Sequence, residues 1–222
     1  MPHGAYVNIW TRDFSEGLML DRFERLLETV PLAAEKPGLI GLTVRAVNPS
    51  ETPLAEIDLR GALSGPADVI ALARERRNAD TEFEVSTYWD LWRWDFETGL
   101  WQRGPERLLL FCRGEACDDG IAAQTGNFAA DLGFEHLFTG PAGWPEFGGA
   151  RNTPANSVET ELLPPMSIEQ LHEYYEKTRQ NIQQLFQWLR AVEQALPIER
   201  YQLWSEGEEN LEARLDEILA VH

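Results

Sequence analysis

Histidine and carboxylates are the side chains here best suited to proton transfer, and one histidine draws attention first. His136 lies in the apolar run "GFEHLF", where a strand would put it on one face with Phe134 and Phe138 and turn Glu135 to the other. A lone histidine between aromatics is ordinarily a core residue, but partial burial would move its proton equilibrium toward a range useful to a general base. Glu115, Asp118 and Asp119 of "GEACDDG" are the carboxylates that a fold could bring to it, as an orienting partner or as ligands of a divalent metal. Read alone, they are solvated turn acids beside glycines. That constellation defines one functional expectation, a small hydrolase-like enzyme using His136 with Glu115, Asp118 and Asp119, with or without metal assistance.

Sequence motifs do not reinforce it. "DDG" lacks the alternating oxygen donors and the terminal glutamate of a calcium loop. There is no HExxH, no CxxC pair, no Walker loop and no GxSxG elbow, so the sequence assigns no metal ligand and leaves the cofactor unknown. Cys112 and Cys117 are the only cysteines, too few for a disulfide framework, and Cys112 in "LLLFC" reads as a buried thiol.

A second set of residues suits binding rather than catalysis. "TYWDLWRWDFETGLW", residues 87–101, carries four of the eight tryptophans. Period-two alternation sends Tyr88, Asp90, Trp92, Trp94 and Phe96 to one side and Trp89, Leu91, Arg93 and Asp95 to the other. The nearly all-aromatic side is expected to pack on helices, since each tryptophan carries on the order of 200 Å² into a core. That leaves Trp89, Arg93 and Asp95 as candidate ligand-binding residues, with Trp144 from the loop that follows "GFEHLF".

The elements that must position these residues follow from periodicity. "AYVNIW" reads as a strand, and a helix after Ser15 aligns Leu18, Phe23, Leu26, Leu27 and Val30. Residues 39–47 and 54–59 form a hairpin, Pro66 opens a helix to about 77, and "TEFEVSTYW" is the next strand. The order β-α-β-β-α-β suggests a ferredoxin-like α+β core, extended by a long aromatic hairpin turning at Thr98-Gly99. The stretch 139–165, with four glycines and five prolines, marks a loop or linker (141–166) between an α+β domain (1–140) and a C-terminal arm (167–222) that could pack on it as one unit. The arm is expected to be a helical hairpin, of 167–196 and about 208–221. Ile168, Leu171, Tyr175, Thr178, Ile182, Leu185, Leu189, Val192 and Leu196 form a four-three seam on which a second copy could dimerise.

Charge narrows the partners. The formal net charge of −18 is spread over the whole length without an acidic tail. Such a surface repels polyphosphate and anionic membrane, so nucleic-acid and membrane binding are not expected, whereas a basic protein partner is compatible. No apolar run reaches the roughly 18–20 residues of a membrane span, and "MPHGAYVNIW" lacks a signal-peptide pattern, so a cytoplasmic, soluble protein is expected. The main functional expectation is accordingly a non-catalytic binding or protein-interaction domain for a protein or small-molecule ligand.

Overall fold

In a computed structural model, residues 3–61, 65–95, 98–140 and 168–220 are described. The order is β1 (Gly4–Thr11), α1 (Glu16–Glu28), β2 (Gly41–Ala46), β3 (Ala55–Asp58), α2 (Pro66–Arg74), β4 (Thr81–Asp95) and β5 (Leu100–Arg113). A 3-10 turn (Cys117–Gly120), α3 (Ala122–Thr125), β6 (Phe128–Phe134), α4 (His136–Thr139), α5 (Ile168–Ala195), β7 (Ile198–Ser205) and α6 (Leu211–Ala220) follow. The seven strands make one sheet in the order β3-β2-β4-β5-β6-β1-β7, and every pairing is antiparallel.

That topology corrects the ferredoxin-like expectation. The six elements β1 to β4 occur in the expected sequence, but β1 pairs with β6 and β7, and three strands separate it from β2. The long β4–β5 hairpin and β6 fill the middle of the sheet. The helical hairpin expected at the C-terminus is also replaced: after Pro197, "IERYQLWS" becomes β7 and pairs with β1 from Ala5↔Ser205 to Thr11↔Ile198. The Ser205 hydroxyl does accept a bond from Glu208 N at 3.1 Å, but α6 starts at Leu211, with Asn210 Oδ1 accepting from Ala213 N.

One face of the sheet is apolar because alternate residues of each strand are. Phe83, Val85, Trp89 and Leu91 of β4, Leu108, Leu110 and Cys112 of β5, and Phe128, Ala130 and Leu132 of β6 are buried there with Val7 and Ile9. Met19, Leu20, Phe23 and Leu26 of α1, Val69 and Ile70 of α2, Ile182, Leu185, Trp188 and Leu189 of α5, and Leu211, Leu215 and Ile218 of α6 complete a single cluster. The described part of the seam proposed for dimerisation is therefore largely spent inside the chain: Thr178, Ile182, Leu185, Leu189, Val192 and Leu196 are all buried. The other face carries charge, held in ion pairs between neighbouring strands, such as Arg113–Glu82 at 2.6 Å and Arg45–Glu84 at 2.8 Å.

The hairpin faces are the reverse of the expectation. Trp89 is fully buried, while Tyr88, Asp90, Trp92 and Trp94 are only partly covered; Phe96 lies outside the described residues. Register explains it, because Trp89 and Leu91 continue the row of Phe83 and Val85, which stand opposite Cys112 and Leu110. Gly99 turns the hairpin with a positive φ of 64°, a conformation that costs glycine little. Cys112 and Cys117 are both buried free thiols; burial holds Cys112 well above the usual thiol range and Cys117 at about 11, so neither is primed as a nucleophile.

Candidate functional site

Beyond Leu91 the hairpin outruns β2, and the edge of β4 needs another partner for its backbone. Asn181 of α5 supplies one. Its Oδ1 accepts from Trp92 N at 2.8 Å, and its Nδ2 donates to Trp92 O and to Leu137 O, both at 2.8 Å. One buried amide thus joins the hairpin, α4 and α5. The Tyr174 hydroxyl adds a second tie, donating to the His136 carbonyl at 3.2 Å.

These ties define an aromatic cleft. Trp92, Arg93, Trp94, Trp101, His136, Leu137, Tyr174 and Thr178 line a small cleft with about 20 Å³ of free room, enough for about one water molecule. Trp94 and Trp101 meet edge to face at 5.6 Å, and Trp101 lies 4.8 Å from Tyr174. Lys177 Nζ stands 3.7 Å above the Trp92 ring, a cation–π contact on the same helix that supplies Tyr174 and Asn181. Nε1 of Trp101 is shielded from solvent and, among the described residues, has no hydrogen-bond partner.

The cleft brings two of the expected residues together and separates the rest. His136 and Arg93 both line it. "GFEHLF" is not a strand: β6 ends at Phe134, and Glu135 takes a helical conformation that starts α4 at His136. The imidazole stacks on Phe134 at 5.6 Å and 17°, and among the described residues its ring makes no hydrogen bond or ion pair. Partial desolvation lowers its pKa against a smaller opposing effect of Glu135, although the residue as a whole is exposed. Phe138, its expected face-mate, is buried in the core against Trp89.

Glu115, Asp118 and Asp119 sit at the other end of β6. Seven residues of strand lie between them and His136, about 20 Å at roughly 3.3 Å each. Asp118 accepts from Asn48 Nδ2 at 2.7 Å, and it and Asp119 adopt positive φ in the turn. Among the described residues, no group of three histidine, cysteine or carboxylate side chains is placed to hold a metal. The Trp89 assignment is corrected outright, since a fully buried indole in the core cannot meet a ligand. Arg93 is half exposed and lies 3.4 Å from Glu106; Asp95 accepts from Thr98 and Gln102 and shapes the turn. Trp144 and residues 141–167 lie outside the described residues.

No protein family, curated protein or solved structure matches the chain. The site must therefore be judged on its own chemistry.

Sequence reasoning missed Trp94, Trp101, Tyr174 and Asn181 as site residues. Asn181 did leave a signal: it is an amide next to Ile182 on the apolar seam of a long helix, where it would be costly unless something satisfied it.

Proposed function

We propose that the protein is a non-catalytic binding protein that grips a protein partner by taking one apolar or aromatic side chain of it into the hairpin–α5 cleft. The observation that carries this reading is the lining itself: three partly exposed tryptophans and an exposed arginine beside a buried tyrosine, around a small cleft. Tryptophan, tyrosine and arginine are the residues that dominate binding energy at protein interfaces. The site is pre-organised, because Asn181 and Tyr174 fix its walls before any partner arrives. An acceptor on the incoming group that reached Trp101 Nε1 would relieve a buried donor, worth about 1–3 kcal/mol. A general-base role for His136 gains no such support, since no described carboxylate orients its ring.

The test uses indole-¹⁵N-labelled protein, whose tryptophan side chains report separately. N-acetyl-leucinamide and N-acetyl-tryptophanamide should give saturable shifts of the Trp94 and Trp101 signals while that of buried Trp89 stays still. Unmoved Trp94 and Trp101 signals with both probes would overturn the reading.

A further inference from the structure

The charged face of the sheet holds a second aromatic group, at the corner formed by β6, β1 and β7. Tyr6 pairs with Asp131 on one side and Trp204 on the other, and Gly4 pairs with Phe134, so all four side chains project from one face. Tyr6 and Trp204 stack at 4.4 Å and 21°. The Tyr6 ring leans over Gly4, so a side chain there would displace it. Glu206 closes the corner, accepting from Gly4 N at 3.0 Å and from the Tyr6 hydroxyl at 3.4 Å. Phe134 is 45% exposed and Trp204 38%, the two large aromatics most open to solvent among the described residues.

Four other rings on the same face carry a cation of the chain, while Trp94 and Trp101 at the far end of the hairpin meet each other and Tyr174 instead. Tyr88 carries Lys36 at 4.5 Å, Trp92 carries Lys177 at 3.7 Å, Trp10 carries Arg200 at 4.0 Å and Phe111 carries Arg113 at 5.6 Å. Both lysines of the chain are used in this way. Among the described residues no cation stands over Phe134 or Trp204, although carboxylates surround them. Asp131 shares its field with Arg107, whose guanidinium also approaches Glu84 at 4.0 Å. Glu135 is bonded to Gly207 N at 2.9 Å. Glu206 is exposed and, among the described residues, meets only neutral donors, with Glu208 and Glu209 following it in the chain.

We propose that this corner receives an arginine or lysine side chain of a basic protein partner, the cation lying against Trp204 and Phe134 with Glu206 as its counter-ion. Aromatic faces and a carboxylate together recognise a cationic side chain where either alone is weak. The net charge of −18 selects and steers a partner of that sign. The inference rests on the protein being a binding protein, but not on the cleft. The two surfaces adjoin, since His136 both lines the cleft and stacks on Phe134.

An acetylated oligoarginine peptide titrated into the labelled full chain tests it. The Trp204 indole signal should shift saturably, and Glu206→Gln, which keeps an acceptor for Gly4 N, should weaken that binding on the order of tenfold. Glu51→Gln removes the same charge from the β2–β3 connection beyond the far side of the sheet and should leave affinity nearly unchanged. Trp204→Leu, followed by anisotropy of a labelled peptide, should weaken binding as well. Equal losses in Glu206→Gln and Glu51→Gln would show general charge attraction and overturn the proposal. So would a peptide that moves Trp94 and Trp101 but not Trp204; a responsive Trp204 with a silent cleft supports the proposal, and the cleft reading is decided separately by the leucine and tryptophan amides.

Discussion

One hairpin builds two tryptophan clusters of opposite character. Trp89 packs 6.0 Å from Phe138 and 6.1 Å from Trp188, and is wholly removed from solvent. Five residues later in β4, Trp94 meets Trp101 and through it Tyr174, half covered at the mouth of a cleft. Each cluster holds an indole N–H without a partner, Trp89 Nε1 in the core and Trp101 Nε1 at the cleft. In the core the unmet donor is a cost outweighed by the apolar area of the ring. At the cleft it is a group that a ligand can satisfy. Residue type therefore does not mark function here; the face of the strand does, since Trp89 continues the apolar row of Phe83 and Val85 while Trp94 and its partner Trp101 stand on the opposite face.

Substitutions separate the two clusters, and the largest effect belongs to the core. Trp89→Ala should destabilise the fold by about 3–5 kcal/mol in chemical denaturation. Next comes the clamp between the clusters: Asn181→Ala leaves the backbone groups of Trp92 and the Leu137 carbonyl without their partner, and should cost about 1–3 kcal/mol. It should also broaden the Trp94 and Trp101 indole signals more than that of Trp89. Trp101→Ala removes two ring contacts of roughly 0.5–1.5 kcal/mol each from a partly exposed site. It should therefore cost less stability than Trp89→Ala yet abolish probe binding. A Trp101→Ala protein as destabilised as Trp89→Ala would erase the distinction and make the distal cluster a second core.

What the sequence made legible was local. Periods of two and near 3.6 located the strands from 5 to 92 and the helices 16–28, 66–74 and 168–195 to within a few residues. Alternation in "TYWDLWRWD" separated the two faces but could not say which was inside, because that depends on Leu108, Leu110 and Cys112 across the hairpin and on the helices above them. Strand order failed for the same reason: β1 pairs with β6 and β7, more than a hundred residues away. "IERYQLWS" has strand-forming residues, but only its pairing with β1 makes it a strand. The cleft draws on residues 92, 101, 136 and 174, and no local pattern links them. His136 and Arg93, singled out for their chemistry, do line the cleft, whereas Glu115, Asp118 and Asp119 lie at the other end of β6, because proximity in sequence says nothing about opposite ends of a strand.

The smallest predicted effect bears on how the hairpin divides its cover. Glu106 stands opposite Trp89 on the buried side, with Arg93 3.4 Å away. Burial raises its pKa, and the Arg93 charge and hydrogen bond offset only part of that rise. A carboxyl whose folded pKa exceeds its unfolded value near 4.3 takes up protons on folding, so stability falls as pH rises through the folded value and returns on acidification. Asp131, also raised chiefly by burial, contributes with the same sign. His136 opposes both: its lowered pKa disfavours the cation in the folded state, so it withdraws stability as pH falls below about 6.5. Glu106→Gln should therefore raise the melting temperature slightly at pH 8 and flatten the slope that Glu106 contributes above about pH 4.3, leaving the His136 loss easier to see. His136→Phe in that background should remove the loss at the acid end. A Glu106→Gln protein less stable than the parent at pH 8 would instead mean that the Arg93 pair outweighs the burial of the charge, and that the boundary between core and cleft is held by the ion pair.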